Sequence, residues 1–139
     1  MAALTWDIMR ILLVEDDVVL RDVMVRSLTD AGHRVDVAET LEQAEHYWLV
    51  QPFDTVLLDL NLPVQSGFEV LGWLRQQPQF KELTVVVFSS SGRPEDRRRA
   101  QELGATDYVL KPSSGVDFVE VARRFNERWL TDKGAIGAV

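Results

Sequence analysis

Apolar residues along this chain fall into two alternating patterns. Three runs carry no polar interruption: Ile11-Leu12-Leu13-Val14, Val56-Leu57-Leu58 and Val85-Val86-Val87-Phe88. Strands buried on both faces read this way, as in a parallel sheet covered by helices. Together with two shorter segments they predict strands over Arg10–Val14, Arg34–Ala38, Asp54–Leu58, Leu83–Phe88 and Asp107–Leu110. Between and after them, apolar positions recur at helical spacing. Leu20, Met24, Leu28 and Ala31 form one stripe, stopped by Gly32; Leu41, Ala44 and Trp48 form a second, stopped by Pro52. Phe68, Leu71 and Leu74 form a third. A fourth helix opens at Pro94-Glu95-Asp96, where a first-turn proline and two acids suit the positive end of the helix dipole, and closes at Leu103-Gly104. A fifth starts near Ser114 and carries Phe118, Val121, Ala122, Phe125 and Trp129 on one side. Strand followed by helix, five times over, predicts an α/β domain with a parallel sheet and helices on both faces.

The chain has 139 residues, 46% hydrophobic and 27% charged, with a formal net charge of −7. This is one ordinary globular domain by size. The negative charge argues against broad binding to nucleic acid or to an anionic membrane, since both are themselves negative. No cysteine is present and only two histidines, so disulfide scaffolds, zinc–thiolate sites and cysteine nucleophiles are excluded. No apolar run approaches the roughly 18–20 residues of a membrane span. The segment Met1–Met9 lacks the basic-then-apolar order of a secretory signal. The expectation is a soluble, cytoplasmic domain.

The polar residues interrupt this pattern at informative places. Glu15-Asp16-Asp17 follow the first strand, Asp59 ends the third, Ser89-Ser90-Ser91 end the fourth and Lys111 follows the fifth. In open α/β sheets the functional site lies beyond the carboxyl ends of the strands. Each residue alone reads as a helix cap or a solvated loop end; all four clusters on one edge do not. Two carboxylates about 4 Å apart repel by about 4 kcal/mol at an effective dielectric near 20. Crowded acids therefore protonate or hold a cation, and oxygen ligands without sulfur favour Mg²⁺ or a similar ion. A cation, the Lys111 ammonium and a serine hydroxyl around one aspartate suit phosphoryl transfer, with Asp59 as nucleophile.

At this point the chain resembles the receiver domain of two-component response regulators. The matching strings are Ile11-Leu-Leu-Val-Glu-Asp-Asp17, Leu57-Leu-Asp-Leu-Asn-Leu-Pro63 with Gly67, Val87-Phe-Ser-Ser90 and Leu103-Gly-Ala-Thr-Asp-Tyr-Val-Leu-Lys-Pro112. The resemblance implies a (βα)5 flavodoxin-like fold with strand order 2-1-3-4-5. It implies an N-terminal extension over 1–9, a receiver domain over 10–131 and a tail over 132–139, with no output domain. Asp59 is then the phospho-acceptor, with Lys111 and Ser89 completing the catalytic set. Glu15, Asp16, Asp59 and the carbonyl of Asn61 serve Mg²⁺, for which Mn²⁺ or Ca²⁺ can substitute; Asp16 ligates directly and Glu15 acts through water. Ser89 and Tyr108 are the switch pair, and Pro112 stands where the family commonly has a cis bond. Ser89 replaces the commoner threonine and keeps the hydroxyl.

The resemblance further implies a phospho-acceptor signalling protein rather than an enzyme, one that promotes only its own aspartyl phosphorylation and dephosphorylation. The expected donor is a sensor histidine kinase, with a histidine phosphotransfer protein as another partner. Asp59-Leu-Asn-Leu-Pro-Val-Gln-Ser-Gly67 and Ser91-Gly-Arg-Pro-Glu-Asp96 look most like single-domain receivers paired with bacterial phytochrome kinases. Signalling would pass through the surface of the fourth helix, fifth strand and fifth helix. That face carries Arg97, Asp107 and Arg123 for crossed bridges to a second copy, with Phe125 and Trp129 as an apolar centre, giving a homodimer. His33 and His46 read as surface residues, and Trp6 packs under the sheet or stays in solvent. The alternative reading is a pseudo-receiver, an interaction module that works without phosphate.

Overall fold

A computed structural model describes residues 8–62, 66–111, 120 and 123. It contains five strands, β1 (Arg10–Val14), β2 (Arg34–Ala38), β3 (Thr55–Asp59), β4 (Thr84–Ser89) and β5 (Asp107–Leu110). Four α-helices alternate with them among the described residues: α1 (Val18–Asp30), α2 (Leu41–Val50), α3 (Gly67–Gln76) and α4 (Pro94–Glu102). A 3-10 turn, Pro78–Phe80, leads from α3 into β4. The strands form one parallel sheet in the order β2-β1-β3-β4-β5. Strands β3 and β4 sit one residue later than the apolar runs suggest, so Asp59 and Ser89 are the last residues of their strands rather than the first beyond them. The fifth helix expected from Ser114 lies outside the described residues, except for Glu120 and Arg123, both helical.

Alternation along the strands divides the core into two layers. Leu12, Val14, Val56, Leu58, Val85, Val87 and Tyr108 face Ala44 and Trp48 of α2, Val70, Leu71 and Leu74 of α3, and Ala100 of α4. Met9, Ile11, Leu13, Leu57, Val86 and Phe88 face Leu20, Met24 and Leu28 of α1. Each layer is apolar and these strand residues are nearly fully buried, and the uninterrupted apolar runs follow from that two-sided burial.

Local chemistry sets the ends of the helices. Asp17 caps α1, its carboxylate accepting from Val19 N–H and Leu20 N–H. Thr40 caps α2 and Ser66 caps α3 in the same way. The turn after α4 depends on Gly104, whose φ of 101° lies in the left-handed region. Arg75 fills the space above that turn: its Nε donates to Gly104 O at 2.9 Å and its Nη1 to Phe80 O at 2.7 Å. One guanidinium thus ties α3 to two loops at the amino end of the sheet. His33 is not on the surface, as its position in a turn suggested. It is 6% exposed, and its Nδ1 accepts the Met9 N–H at 3.0 Å, anchoring the start of β1. His46 is exposed, as expected. Trp6 lies outside the described residues.

Candidate functional site

Strand register assembles the site. Val14 lies level with Leu58, and Asp59 with Phe88. Hydrogen bonding continues one residue past the strands: Glu15 N–H reaches Ala38 O, Leu60 N–H reaches Phe88 O, and Lys111 N–H reaches Ser89 O. Glu15, Asp59 and Lys111 share the alternation of Leu13, Leu57 and Val109, so all three emerge on the α1 side of the sheet. Their side chains meet. Lys111 Nζ lies 2.9 Å from Asp59 Oδ1 and 3.0 Å from Glu15 Oε1. Asp16, which is exposed, completes a group in which carboxylate oxygens of Glu15, Asp16 and Asp59 lie within 4.8 Å of one another.

The two oxygens of Asp59 are treated differently. Oδ1 accepts from Lys111 and from the Asn61 N–H at 3.0 Å, whereas Oδ2 is buried with no hydrogen-bond partner. Glu15 and Asp59 are each 1% exposed. Burial pushes the Glu15 carboxyl up to about 7; the Asp59 charge adds to this, and Lys111 and the Asp17 N–H oppose it. Asp16 is also raised, by desolvation and then by its contact with Asp59. Burial acts to lower Lys111, but its bonds to Asp59 and its attraction to Glu15 outweigh this and raise it. Lys111 therefore stays charged, and its one positive charge faces three acids. A buried oxygen without a donor, in a group of hard oxygen ligands, fits a divalent cation of the Mg²⁺ type.

Glycine at position 67 permits the compactness of this site. A Cβ there would lie 2.6 Å from Leu60 Cα and closer still to the Asp59 carbonyl oxygen, both backbone atoms that cannot yield. Gly67 N–H in turn donates to Leu60 O at 2.9 Å. Gly67 stood out in the sequence only as part of a matching string; its contact with the acceptor backbone is visible only in three dimensions. Asp17 separates from the other acids of its run: it caps α1 and lies outside the carboxylate group. Its position one residue before an apolar helical stripe is an N-cap signal.

Ser89 and Tyr108 lie on the opposite, α4 side. Ser89 is 1% exposed and its Oγ accepts the Ser91 N–H at 3.0 Å. Tyr108 points inward, buried, and its hydroxyl donates to Ser91 O at 2.8 Å. The Ser91 residue thus joins the hydroxyl of Ser89 to that of Tyr108, a link the sequence did not reveal. Ser91 Oγ also contacts Asp96 Oδ2, fixing the loop to the first turn of α4.

Residues expected on a dimer face already have partners within the chain. The Arg97 guanidinium lies 4.9 Å from the Tyr108 ring centroid, and that of Arg99 lies 4.2 Å from the Phe68 ring. Asp107 Oδ1 accepts from the Tyr108 N–H, and Arg123 pairs with Glu120 one helical turn before it. Phe125, Trp129 and Pro112 lie outside the described residues. No helix among the described residues is long and apolar enough to cross a membrane.

Comparison with known proteins agrees with this geometry. The family model for the response regulator receiver domain matches residues 11–123. The Escherichia coli phosphate regulon transcriptional regulatory protein PhoB is 35% identical over 111 residues, 79% of this chain and 48% of that protein. The probable transcriptional regulatory protein SilR of Salmonella typhimurium is 32% identical over 120 residues, 86% of this chain and 52% of that protein. The chain thus spans about half the length of these curated relatives. Among solved structures, the phosphorylated cyanobacterial phytochrome response regulator RcpA superposes with a TM-score of 0.83 at 27% identity, covering 89% of this chain and 95% of that one. The Mn²⁺-bound response regulator Rcp1 gives 0.81 at 27% identity, with coverage of 88% and 94%. The chemotaxis response regulator CheY4 of Vibrio cholerae gives 0.74 at 27% identity, with coverage of 84% and 98%. By sequence, strand order and site, the chain belongs to the response regulator receiver family.

Proposed function

We propose that the chain is a phospho-acceptor of two-component signalling, taking a phosphoryl group on Asp59 from a sensor histidine kinase or a histidine phosphotransfer protein. The observation that carries this is the divided environment of Asp59: Oδ1 held by Lys111 and Asn61 N–H, Oδ2 buried and unpartnered beside Glu15 and Asp16. Oδ2 attacks the phosphorus of a phosphohistidine in line. The new O–P bond forms as the P–N bond breaks, and the imidazole leaves with a proton. The donor enters over Asp16, the exposed acid of the group. Lys111 holds the Asp59 carboxylate in place and then meets the negative charge of the transferred group. Glu15, Asp16, Asp59 and the Asn61 carbonyl would hold Mg²⁺, with Mn²⁺ or Ca²⁺ as substitutes. Such an ion would supply positive charge against the negative charge that builds up during transfer.

The output follows from the link at Ser91. When Ser89 Oγ turns to a phosphoryl oxygen it releases the Ser91 N–H, and the loop that also holds the Tyr108 hydroxyl rearranges. Arg97, stacked on Tyr108, and Asp107 beside it carry the change to the surface of α4 and β5. This surface, extended by Arg123, Phe125 and Trp129, is the proposed face for a homodimer. The likeness to RcpA and Rcp1 supports a place in a phytochrome-type system, with a bacteriophytochrome as the kinase. A receiver over 10–131 acting in the cytoplasm, and catalysing nothing beyond its own aspartyl phosphorylation and dephosphorylation, is part of the same proposal. Retention of both Asp59 and Lys111 counts against a module that never carries phosphate.

Acetyl phosphate with Mg²⁺, followed by intact-mass measurement, tests the reading. One added phosphoryl group in the native chain, lost with chelator and in Asp59→Asn, is expected. Equal labelling of the native chain and the variant would overturn it.

A further inference from the structure

Ser91 joins the two switch side chains, and every polar group it has is engaged. Its N–H donates to Ser89 Oγ at 3.0 Å, and its carbonyl accepts from the Tyr108 hydroxyl at 2.8 Å. Its own hydroxyl accepts the Arg93 N–H at 3.3 Å and donates to Asp96 Oδ2 at 2.5 Å. Of these four bonds only the last has a carboxylate partner. Its length is that of a charge-assisted O–H···O⁻ bond, roughly twice as strong as a neutral one.

An acid in the first turn of a helix is accounted for by the dipole alone. Glu95 fits that account: it is exposed, and its carboxylate pairs with Arg93 on the surface. Asp96, half-buried, turns back to the loop that follows β4. The next residue, Arg97, lies over the Tyr108 ring at 4.9 Å. Two consecutive residues of α4 thus hold the two sides of one link. Asp96 holds the Ser91 hydroxyl, and Arg97 covers the ring whose hydroxyl reaches the Ser91 carbonyl. Ser89 is 1% exposed, so its Oγ gives up the Ser91 N–H only for another partner inside the protein. For the loop to follow, the bond from Ser91 to Asp96 has to stretch or break.

We propose that Asp96 is a positioning residue for the switch: by holding the Ser91 hydroxyl it keeps Ser89 Oγ turned to the Ser91 N–H and Tyr108 inward, and so sets how readily the loop yields when Asp59 is phosphorylated. The role rests on the phosphoryl reading of Asp59 and adds to it a residue outside the acidic group. A site whose competent arrangement is sparsely populated binds its ligand more weakly in proportion to that population. Loosening the hold of Asp96 raises the population of the yielded loop and tightens binding of a phosphoryl mimic at Asp59.

Beryllofluoride with Mg²⁺, which adds to an aspartate carboxylate as a stand-in for the phosphoryl group, is titrated into the isotope-labelled full-length chain and followed by amide resonances. Asp96→Ala should bind it about fivefold more tightly than the native chain. Ser91→Ala should match that gain, and the double variant should be no tighter than either single one. Asp96→Asn, which keeps an acceptor for the hydroxyl, should return to within about twofold of native. Glu95→Ala removes an acid from the same turn without touching the link, and should leave the affinity native. Native affinity in Asp96→Ala overturns the proposal, as do summed effects in the double variant or a Glu95→Ala as tight as Asp96→Ala. The hold itself is read with no mimic present: exchange of the Ser91 amide should be about fivefold faster in Asp96→Ala. Unchanged exchange overturns the proposal whether or not Asp59 takes up the mimic. Faster exchange with no uptake by the native chain overturns the phosphoryl reading alone and leaves Asp96 holding the loop.

Discussion

At the amino end of the sheet, charged and polar side chains close backbone contacts: His33 accepts from Met9, Asp54 from Arg10, and Arg75 donates to Gly104 and Phe80. At the carboxyl end, three acids crowd one lysine and an aspartate oxygen is left with no partner. Both ends belong to the same five strands and the same two apolar layers. The difference lies in what each end leaves unsatisfied: apolar surface at one, negative charge at the other. A fold stabilised by its amino end can tolerate electrostatic stress at its carboxyl end, and there the stress becomes affinity for a cation and a phosphoryl group.

Removing the lysine that faces the three acids tests this contrast most severely. Lys111→Met leaves Glu15 and Asp59 buried with unpaired charge and should cost about 3 kcal/mol in the metal-free protein; denaturant unfolding measures it. Most of that loss should be recovered when Mg²⁺ is added. A loss below about 0.5 kcal/mol would mean the acids are better solvated than their burial implies. Gly67→Ala drives a methyl group into the Asp59–Leu60 backbone and should cost about 2–3 kcal/mol, from overpacking against atoms that cannot rotate away. It should also lower phosphoryl labelling, because the acceptor backbone shifts.

At the amino end, Arg75→Met removes donors to the Gly104, Phe80 and Lys81 carbonyls but preserves much of the side-chain volume. It should cost about 1–2 kcal/mol without altering metal affinity. A change in metal affinity would show that the two ends are coupled.

The acids also make the carboxyl end the pH-sensitive one. In the folded chain Glu15 is raised from 4.5 to about 7, so the folded state binds a proton more readily than the unfolded one over that interval. Its contribution to metal-free stability is therefore present at low pH and lost as pH rises toward 7. Cation binding runs the opposite way, because the ion displaces the proton. Mg²⁺ affinity, measured by titration calorimetry, should fall by up to about tenfold per pH unit below pH 7 and level off above it. The smallest effect is expected for Leu49→Gln, an exposed position near the end of α2, within about 0.5 kcal/mol.

Much of this was legible in the residues. Uninterrupted runs such as Ile11–Val14 and Val85–Phe88 gave buried parallel strands, and polar residues just past them marked the site edge. Strand ends shifted by one residue at Asp59 and Ser89 because a polar residue can close a ladder whose backbone bonds continue beneath it. His33 was misplaced because its burial depends on Met9, 24 residues earlier, through a contact that no local pattern encodes. The Ser91 link, the role of Arg75 and the approach of Gly67 to Asp59 likewise depend on how loops and helix ends fold back on the strands. The run Glu15-Asp16-Asp17 shows the limit of composition: three adjacent acids divide into a buried site residue, an exposed site residue and a helix cap, according to the direction of each side chain.

Reductive trapping reads out whether Asp59 is the residue that accepts the phosphoryl group. Borohydride converts an aspartyl phosphate into homoserine, so peptide mapping after phosphorylation and reduction reads the modified position. Homoserine at residue 59, dependent on divalent cation, is the predicted result. Homoserine at Asp16 or Glu15-derived reduction product at residue 15, with residue 59 unmodified, would contradict it.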